Sequence, residues 1–178
     1  AKGTNWSQGH CRQVDIKTAF LGEPLLSGGP VYISGPEGHE RPGYVCRLRR
    51  ALYGLKSSPR AWNKELHSYL LSQGFSPSKS DACLYYNSTK TVYLAVYVDD
   101  ILVVSSTESA SDSFVAKMKS RFIITDCGVP KTFLGIQIDY DRRRGILSLK
   151  QTNMIESLMR RYSLTPKHVS TPMDADTK

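Results

Sequence analysis

Apolar residues along this chain fall into short runs separated by polar and glycine-rich stretches. The first run is Val14-Asp15-Ile16, followed closely by Ala19-Phe20-Leu21. Residues 22–43 are rich in Gly and Pro, which predicts a loop-dominated region with a short strand at Val31-Tyr32-Ile33. Tyr44 to Leu48 predicts another strand, leading into the basic run Arg47, Arg49 and Arg50. Trp62, Leu66, Tyr69 and Leu70 then recur at helical spacing. Ser58 reads as the cap of that helix, Pro59 as its first residue and Gly74 as its stop.

Two further apolar runs cover Ala82 to Tyr86 and Thr91 to Val104. The second is interrupted only by Asp99-Asp100, so it predicts a β-hairpin with the acidic pair at its turn. A helix is expected after Ser106-Thr107, with Phe114, Met118 and Phe122 on one face. Phe133-Leu134-Gly135-Ile136 and Ile146 to Leu149 read as strands around the turn Asp141 to Gly145. Gln151 to Tyr162 reads as an amphipathic helix carrying Ile155, Leu158 and Met159, with a loose tail beyond Pro166. The alternation predicts an α+β fold: an antiparallel sheet with helices packed on one face.

Composition narrows the function classes. The chain has 178 residues, 40% hydrophobic and 22% charged, enough for one domain with a real core. Twenty-four Lys and Arg against sixteen Asp and Glu give a net charge of +8. That excess favours a polyanionic partner, nucleic acid being the commonest. No apolar run approaches the roughly 20 residues of a membrane span. Cys11, Cys46, Cys83 and Cys127 are far apart and form no zinc-ligand spacing, which points to reduced thiols in an intracellular protein. The polar residues Ala1 to His10 do not read as a signal peptide. The chain reads as a piece of something longer.

Two acidic sites stand out against apolar neighbours: Asp15, and the pair Asp99 and Asp100. A carboxylate at the end of a buried strand requires compensation, and a divalent cation is one compensator. Taken singly, each has a plainer reading. Asp-Asp at a hairpin tip is good turn chemistry, and Asp15 alone suits a salt bridge or a cap. If adjacent antiparallel strands bring the two sites together, three carboxylates could hold two metals ~3.5–4 Å apart, as used for in-line phosphoryl displacement.

Three segments carry a family resemblance: residues 14–21 (Val14-Asp15-Ile16-Lys17-Thr18-Ala19-Phe20-Leu21), Ala51 to Trp62, and Tyr97-Val98-Asp99-Asp100-Ile101-Leu102. They closely resemble the reverse transcriptases of copia-type long-terminal-repeat retrotransposons. Phe133-Leu134-Gly135-Ile136 and Ser170-Thr171-Pro172-Met173 fit the same family in the same order. The resemblance implies a right-hand polymerase palm of β-α-β-β-α-β order, ferredoxin-like, with truncated fingers. Residues 1–13 would be a remnant of the fingers, residues 14–138 the palm with a fingers insertion at about 22–57, and residues 139–178 a hairpin and helix leading towards thumb and connection.

The same resemblance assigns roles. Asp15, Asp99 and Asp100 would be the catalytic, metal-binding residues for two Mg²⁺ or Mn²⁺ ions. The backbone around Thr18, Ala19 and Phe20 would hold the triphosphate, and the Phe20 ring would select deoxynucleotides. Tyr53 and Gly54 would contact the nascent base pair. Lys56, Ser58, Pro59 and Arg60 would lie along the template, with Tyr97 also at template or primer, and Phe133, Leu134 and Gly135 would form the primer grip, a hairpin that positions the 3′ end. Lys131 would be a candidate general acid for departing pyrophosphate. Read without the family, Phe20 and Trp62 suit core aromatics, and Lys56 and Arg60 suit solvated charges. Partners would be an RNA template, a DNA primer and dNTPs, with integrase and ribonuclease H segments in one polyprotein, and no membrane. The location would be a cytoplasmic virus-like particle or the nucleus.

Departures from the family pattern fall at the ends. A helical segment expected before Asp15 is absent, and the loop Gly22-Glu23-Pro24-Leu25 lacks the usual Asn-Gly. The alternative expectation is a non-catalytic nucleic-acid-binding remnant of a decayed element.

Overall fold

The computed structural model describes residues 9–21 and 29–165. Residues 1–8 of the expected fingers remnant (1–13), the Gly22 to Leu25 loop, the tail from Pro166 and the Ser170 to Met173 motif lie outside the described residues. The chain divides into two compact units, Ala1–Pro130 and Lys131–Lys178.

The first unit is built on an antiparallel sheet. Its strands are β1 (His10–Ile16), β4 (Phe75–Pro77), β5 (Leu84–Asn87), β6 (Val92–Tyr97), β7 (Asp100–Ser105) and β8 (Ile124–Gly128), with β2 (Tyr32–Ile33) and β3 (Cys46–Arg47) forming a separate two-stranded ribbon. The six strands lie in the order β4-β5-β6-β7-β1-β8. Helix α1 (Ser58–Ser72) follows β1 and helix α2 (Glu108–Arg121) follows β7. Without the β4–β5 extension and the β2–β3 ribbon, the chain runs β-α-β-β-α-β.

Side-chain alternation sorts the two faces of this sheet. Val14 and Ile16 of β1, Val92 and Leu94 of β6, and Ile101 and Val103 of β7 are buried in one core. Trp62, Leu66 and Leu70 of α1 and Phe114, Val115 and Met118 of α2 complete that core, so both helices cover the same face. Asp15 and Asp100 have the opposite parity in their strands and belong to the other face.

The α1 boundary differs from the sequence expectation by one residue. Ser57 is the cap position, in a helical conformation (φ −85°, ψ −19°) with no side-chain capping bond. The turn before it is already tightly wound, with Ser58 N–H donating to Leu55 O at 3.2 Å. Ser58 is therefore the first helical residue, and its buried hydroxyl donates to Leu52 O at 2.6 Å. Gly74 closes the helix with φ +83°, a conformation open to glycine at little cost. For α2, Thr107 is an extended cap whose hydroxyl accepts from Ala110 N–H at 3.2 Å. Phe122 falls just beyond α2 in extended backbone, not on its face. Its ring still joins the core, edge-on to Trp62 at 5.5 Å and to Tyr69 at 5.0 Å.

Strand β8 was not signalled by hydrophobic alternation, because polar Asp126 stands among the half-buried positions of the strand. Its carboxylate pairs with the Arg12 guanidinium of β1, which also reaches Asp112 of α2. One cation thus ties two strands and a helix.

The second unit has a three-stranded sheet ordered β11-β10-β9, from β9 (Thr132–Phe133), β10 (Ile136–Asp141) and β11 (Ile146–Lys150). Hydrophobicity alone reads Phe133 to Ile136 as one strand, but the segment is a hairpin, the form that the family resemblance implies there. Leu134 (φ +50°) and Gly135 (φ +80°) form its two-residue turn, and Ile136 folds back onto Phe133. In the next turn the Asp141 carboxylate accepts from the N–H groups of Arg143 and Arg144 at 3.0 and 3.1 Å. Helix α3 (Thr152–Arg161) carries the expected apolar stripe but buries none of its residues.

The Arg12 bond holds the Asp126 carboxyl below its ordinary 3.8, against an opposing effect of burial. A depressed folded value makes the carboxylate stabilising above about pH 4, and that stabilisation drains as pH falls through the folded value. Asp126→Asn is expected to cost about 1 kcal/mol near neutrality. It should also flatten the loss of stability between pH 5 and about pH 2, read by chemical denaturation across that range.

Candidate active site

The β1–β7 register pairs Val14 with Ile101 and Asp15 with Asp100. Directly opposite residues on one sheet face have Cβ atoms roughly 4.5–5.5 Å apart. The two carboxylates therefore face each other across adjacent strands, on the face that α1 and α2 leave uncovered. Strand β6 pairs with β7 so that Tyr97 stands opposite Asp100. Val98 and Asp99 are the two-residue turn between them.

This turn is strained and held. Val98 has φ +55°, and a β-branched residue in that region costs on the order of 1–2 kcal/mol. The Val98 carbonyl accepts from the Trp62 indole N–H at 2.6 Å, and the Asp99 carbonyl accepts from Ile16 N–H at 2.9 Å. Helix α1 and strand β1 thus each hold one carbonyl of the acidic tip.

The carboxylates have their own partners. Gln13, two residues before Asp15 and on the same face, donates to Asp100 Oδ1 at 3.0 Å. Asp15 Oδ2 is buried, and the Lys17 ammonium lies against it as an ion pair. That contact with Asp15 raises the Lys17 pKa, with a smaller contribution from Asp99. The Cys127 thiol on β8 is pushed up by burial and then by the charges of Asp15 and Asp100. Among the described residues, no three His, Cys, Asp or Glu side chains stand close enough together to hold a metal ion. The donor chemistry nevertheless suits one. A buried carboxylate is costly without a compensating cation; Lys17 fills that part for Asp15, a divalent cation would do the same, and an all-oxygen set fits Mg²⁺ or Mn²⁺.

The other residues singled out in the sequence are placed as follows. Thr18, Ala19 and Phe20 form a turn after β1, with Thr18 at φ +54° and Leu21 N–H donating to Thr18 O at 2.9 Å. The half-buried Phe20 ring meets the exposed Tyr53 ring edge-on at 4.9 Å, which joins two distant sequence motifs. Gly54, at φ +91°, turns the chain there. Lys56, Pro59 and Arg60 are exposed, whereas Ser58 is buried with its hydroxyl on Leu52, so it shapes the loop and offers no outward contact. A cavity of about 260 Å³ lies beneath the tip, lined by residues including Phe20, Pro59, Trp62, Leu66 and Tyr97. Lys131, Phe133, Leu134 and Gly135 belong to the second unit, where Lys131 is exposed, Phe133 is buried and Leu134 is half exposed. Gln13, Lys17 and the hydrogen-bonding role of Trp62 were missed from sequence. Only Gln13 carried a signal, its two-residue spacing from Asp15.

Residues 4–175 match the family described as Reverse transcriptase (RNA-dependent DNA polymerase). The Retrovirus-related Pol polyprotein from transposon RE1 of Arabidopsis thaliana is 40% identical over 180 residues, covering 94% of this chain and 12% of that protein. The corresponding polyprotein from transposon TNT 1-94 of Nicotiana tabacum is 34% identical over 173 residues, covering 93% and 13%. This chain therefore spans 12–13% of the length of these relatives. A solved structure of apo telomerase from Candida tropicalis, truncated from its C-terminal domain, aligns with a TM-score of 0.42 at 11% identity, covering 80% of this chain and 35% of that one.

The strain at Val98 has a measurable signature. Val98→Gly is expected to leave the urea midpoint unchanged or to raise it. Val96→Gly, two residues earlier in regular strand, should lower stability by more than about 1 kcal/mol.

Proposed function

Because the chain belongs to the reverse transcriptase (RNA-dependent DNA polymerase) family, of the copia type, we propose that its first unit is the palm of such a polymerase and that Asp15, Asp99 and Asp100 hold two divalent cations for nucleotidyl transfer. The observation that carries this reading is the register that sets Asp15 opposite Asp100, one residue from Asp99. The β-α-β-β-α-β order supports it, since that connectivity brings the first strand beside the acidic hairpin.

Bound divalent cations supply activation of the primer 3′-hydroxyl and neutralisation of charge on the α-phosphate and pyrophosphate. The chain's own residues do the rest. Asp15 and Asp100 bring carboxylate oxygens to one sheet face, and on this reading Asp99 would swing in from the tip as the third. The Lys17 ammonium balances the charge of Asp15. The turn at Thr18 to Phe20 offers backbone N–H groups to the triphosphate. Phe20, braced by Tyr53, stands as the wall against a 2′-hydroxyl. Exposed Lys56 and Arg60, with Pro59 between them in sequence, face the template. The partners on this reading are an RNA template, a DNA primer and dNTPs, and the chain works within a longer polyprotein, as its Pol relatives suggest, alongside the integrase and ribonuclease H segments that the family resemblance implies.

A second reading rests on the exposed basic residues Lys56, Arg60 and Lys64 together with the lack of a gathered three-carboxylate set among the described residues. On that reading the chain binds nucleic acid through phosphates and performs no chemistry.

Primer extension with Mg²⁺ or Mn²⁺ separates the two. The first reading expects incorporation that Asp99→Asn lowers by about 100-fold or more, and Phe20→Ala should raise ribonucleotide use relative to deoxyribonucleotide. Equal incorporation by wild type and Asp99→Asn would remove the role of Asp99. Salt-sensitive binding with no incorporation by either would favour the second reading.

A further inference from the structure

We infer that Trp62 is a positioning residue for the acidic hairpin: its indole N–H, 2.6 Å from the Val98 carbonyl, fixes the height at which Asp99 and Asp100 meet Asp15. This rests on the proposed role of the three carboxylates and extends it to a residue that touches neither substrate nor metal.

Trp62 is 3% exposed and packed in the core with Leu66 and Leu70, edge-on to Phe122 at 5.5 Å. Its ring cannot move without disturbing the helix-to-sheet contact. A buried indole N–H needs an acceptor, since tryptophan has a donor and nothing else to offer. The acceptor here is no ladder carbonyl. It belongs to the one residue of the tip with positive φ, a valine that does not favour that conformation. A two-residue turn under strain relaxes unless its surroundings over-determine it. Two bonds do so from opposite sides: Trp62 on the Val98 carbonyl, and Ile16 N–H on the Asp99 carbonyl. Ile16 directly follows Asp15, so the second bond couples the tip to the first carboxylate, while the first bond sets where the tip sits above α1. Phenylalanine would fill nearly the same space and donate nothing.

Trp62→Phe in the full chain tests this. Expected is amide exchange at Ile16 and Asp100 about tenfold faster, the factor a single hydrogen bond is worth, with Leu70 and Met118 in the helices unchanged. The Mg²⁺ concentration for half-maximal primer extension should rise about tenfold, with little change in the KM for nucleotide. Phe122→Leu, which loosens the same packing but leaves the indole donor, should lower thermal stability without moving the Mg²⁺ dependence. Equal acceleration at all core amides, or no change at Ile16, would overturn the inference. If wild type incorporates no nucleotide, the polymerase reading fails while the exchange pattern still decides the role of Trp62. Should Trp62→Phe fail to fold, the wild-type indole proton decides. Protection that tracks the Ile16 amide supports the inference, and rapid exchange overturns it.

Discussion

The pairing of β1 with β7 is the constraint on which the rest depends. Because side chains alternate along a strand, the register that buries Val14 against the core face also turns Asp15 to the open face, and it does the same for Ile101 and Asp100. A slip of β1 by one residue would bury Gln13 and Asp15 and expose Val14 and Ile16. The apolar positions therefore enforce the acidic geometry: the free energy of burying Val14, Ile16, Ile101 and Val103 is what keeps two like charges face to face. That juxtaposition is unfavourable in isolation, and Lys17 and Gln13 moderate it.

Around this pair the fold supplies rigid supports. Helix α1 contributes an indole donor from the core side, β1 contributes an amide from the strand side, and the strained turn at Val98 is held between them. Arg12 performs a comparable task further along β1, where one guanidinium links β8 and α2 to the central strand. The loop after β1 then delivers Phe20 to Tyr53, so that two motifs far apart in sequence form one wall. The geometry of the open face thus depends on packing on the closed one.

Much of this was legible in the sequence. The interrupted run from Thr91 to Val104 announced a hairpin with acids at its tip, and the helical spacing of Trp62, Leu66 and Leu70 announced a core-facing helix. What stayed hidden has physical causes. Strand β8 carries Asp126 where an apolar residue would be looked for, because Arg12 compensates the carboxylate. Phe133 to Ile136 looked like a strand because local hydrophobicity does not reveal positive φ at Leu134 and Gly135. Ser58 looked like a cap because the loop before it winds early into helical turns. In the candidate site, Asp15, Asp99 and Asp100 stand out in the sequence through their apolar surroundings, and the β1–β7 register sets Asp15 opposite Asp100. Trp62 could not be assigned a bond, since an indole that packs and an indole that packs and donates look the same in one dimension.

The central claim is that three carboxylates from two strands serve one shared divalent site. Paramagnetic broadening of amide signals on titration with Mn²⁺ tests it most directly. The account predicts that signals at Asp15, Asp99 and Asp100 broaden together at the lowest Mn²⁺ concentrations, and that Asp15→Asn weakens the effect at Asp99 and Asp100. Broadening that begins at other carboxylates, or that persists unchanged at the hairpin in Asp15→Asn, would contradict it.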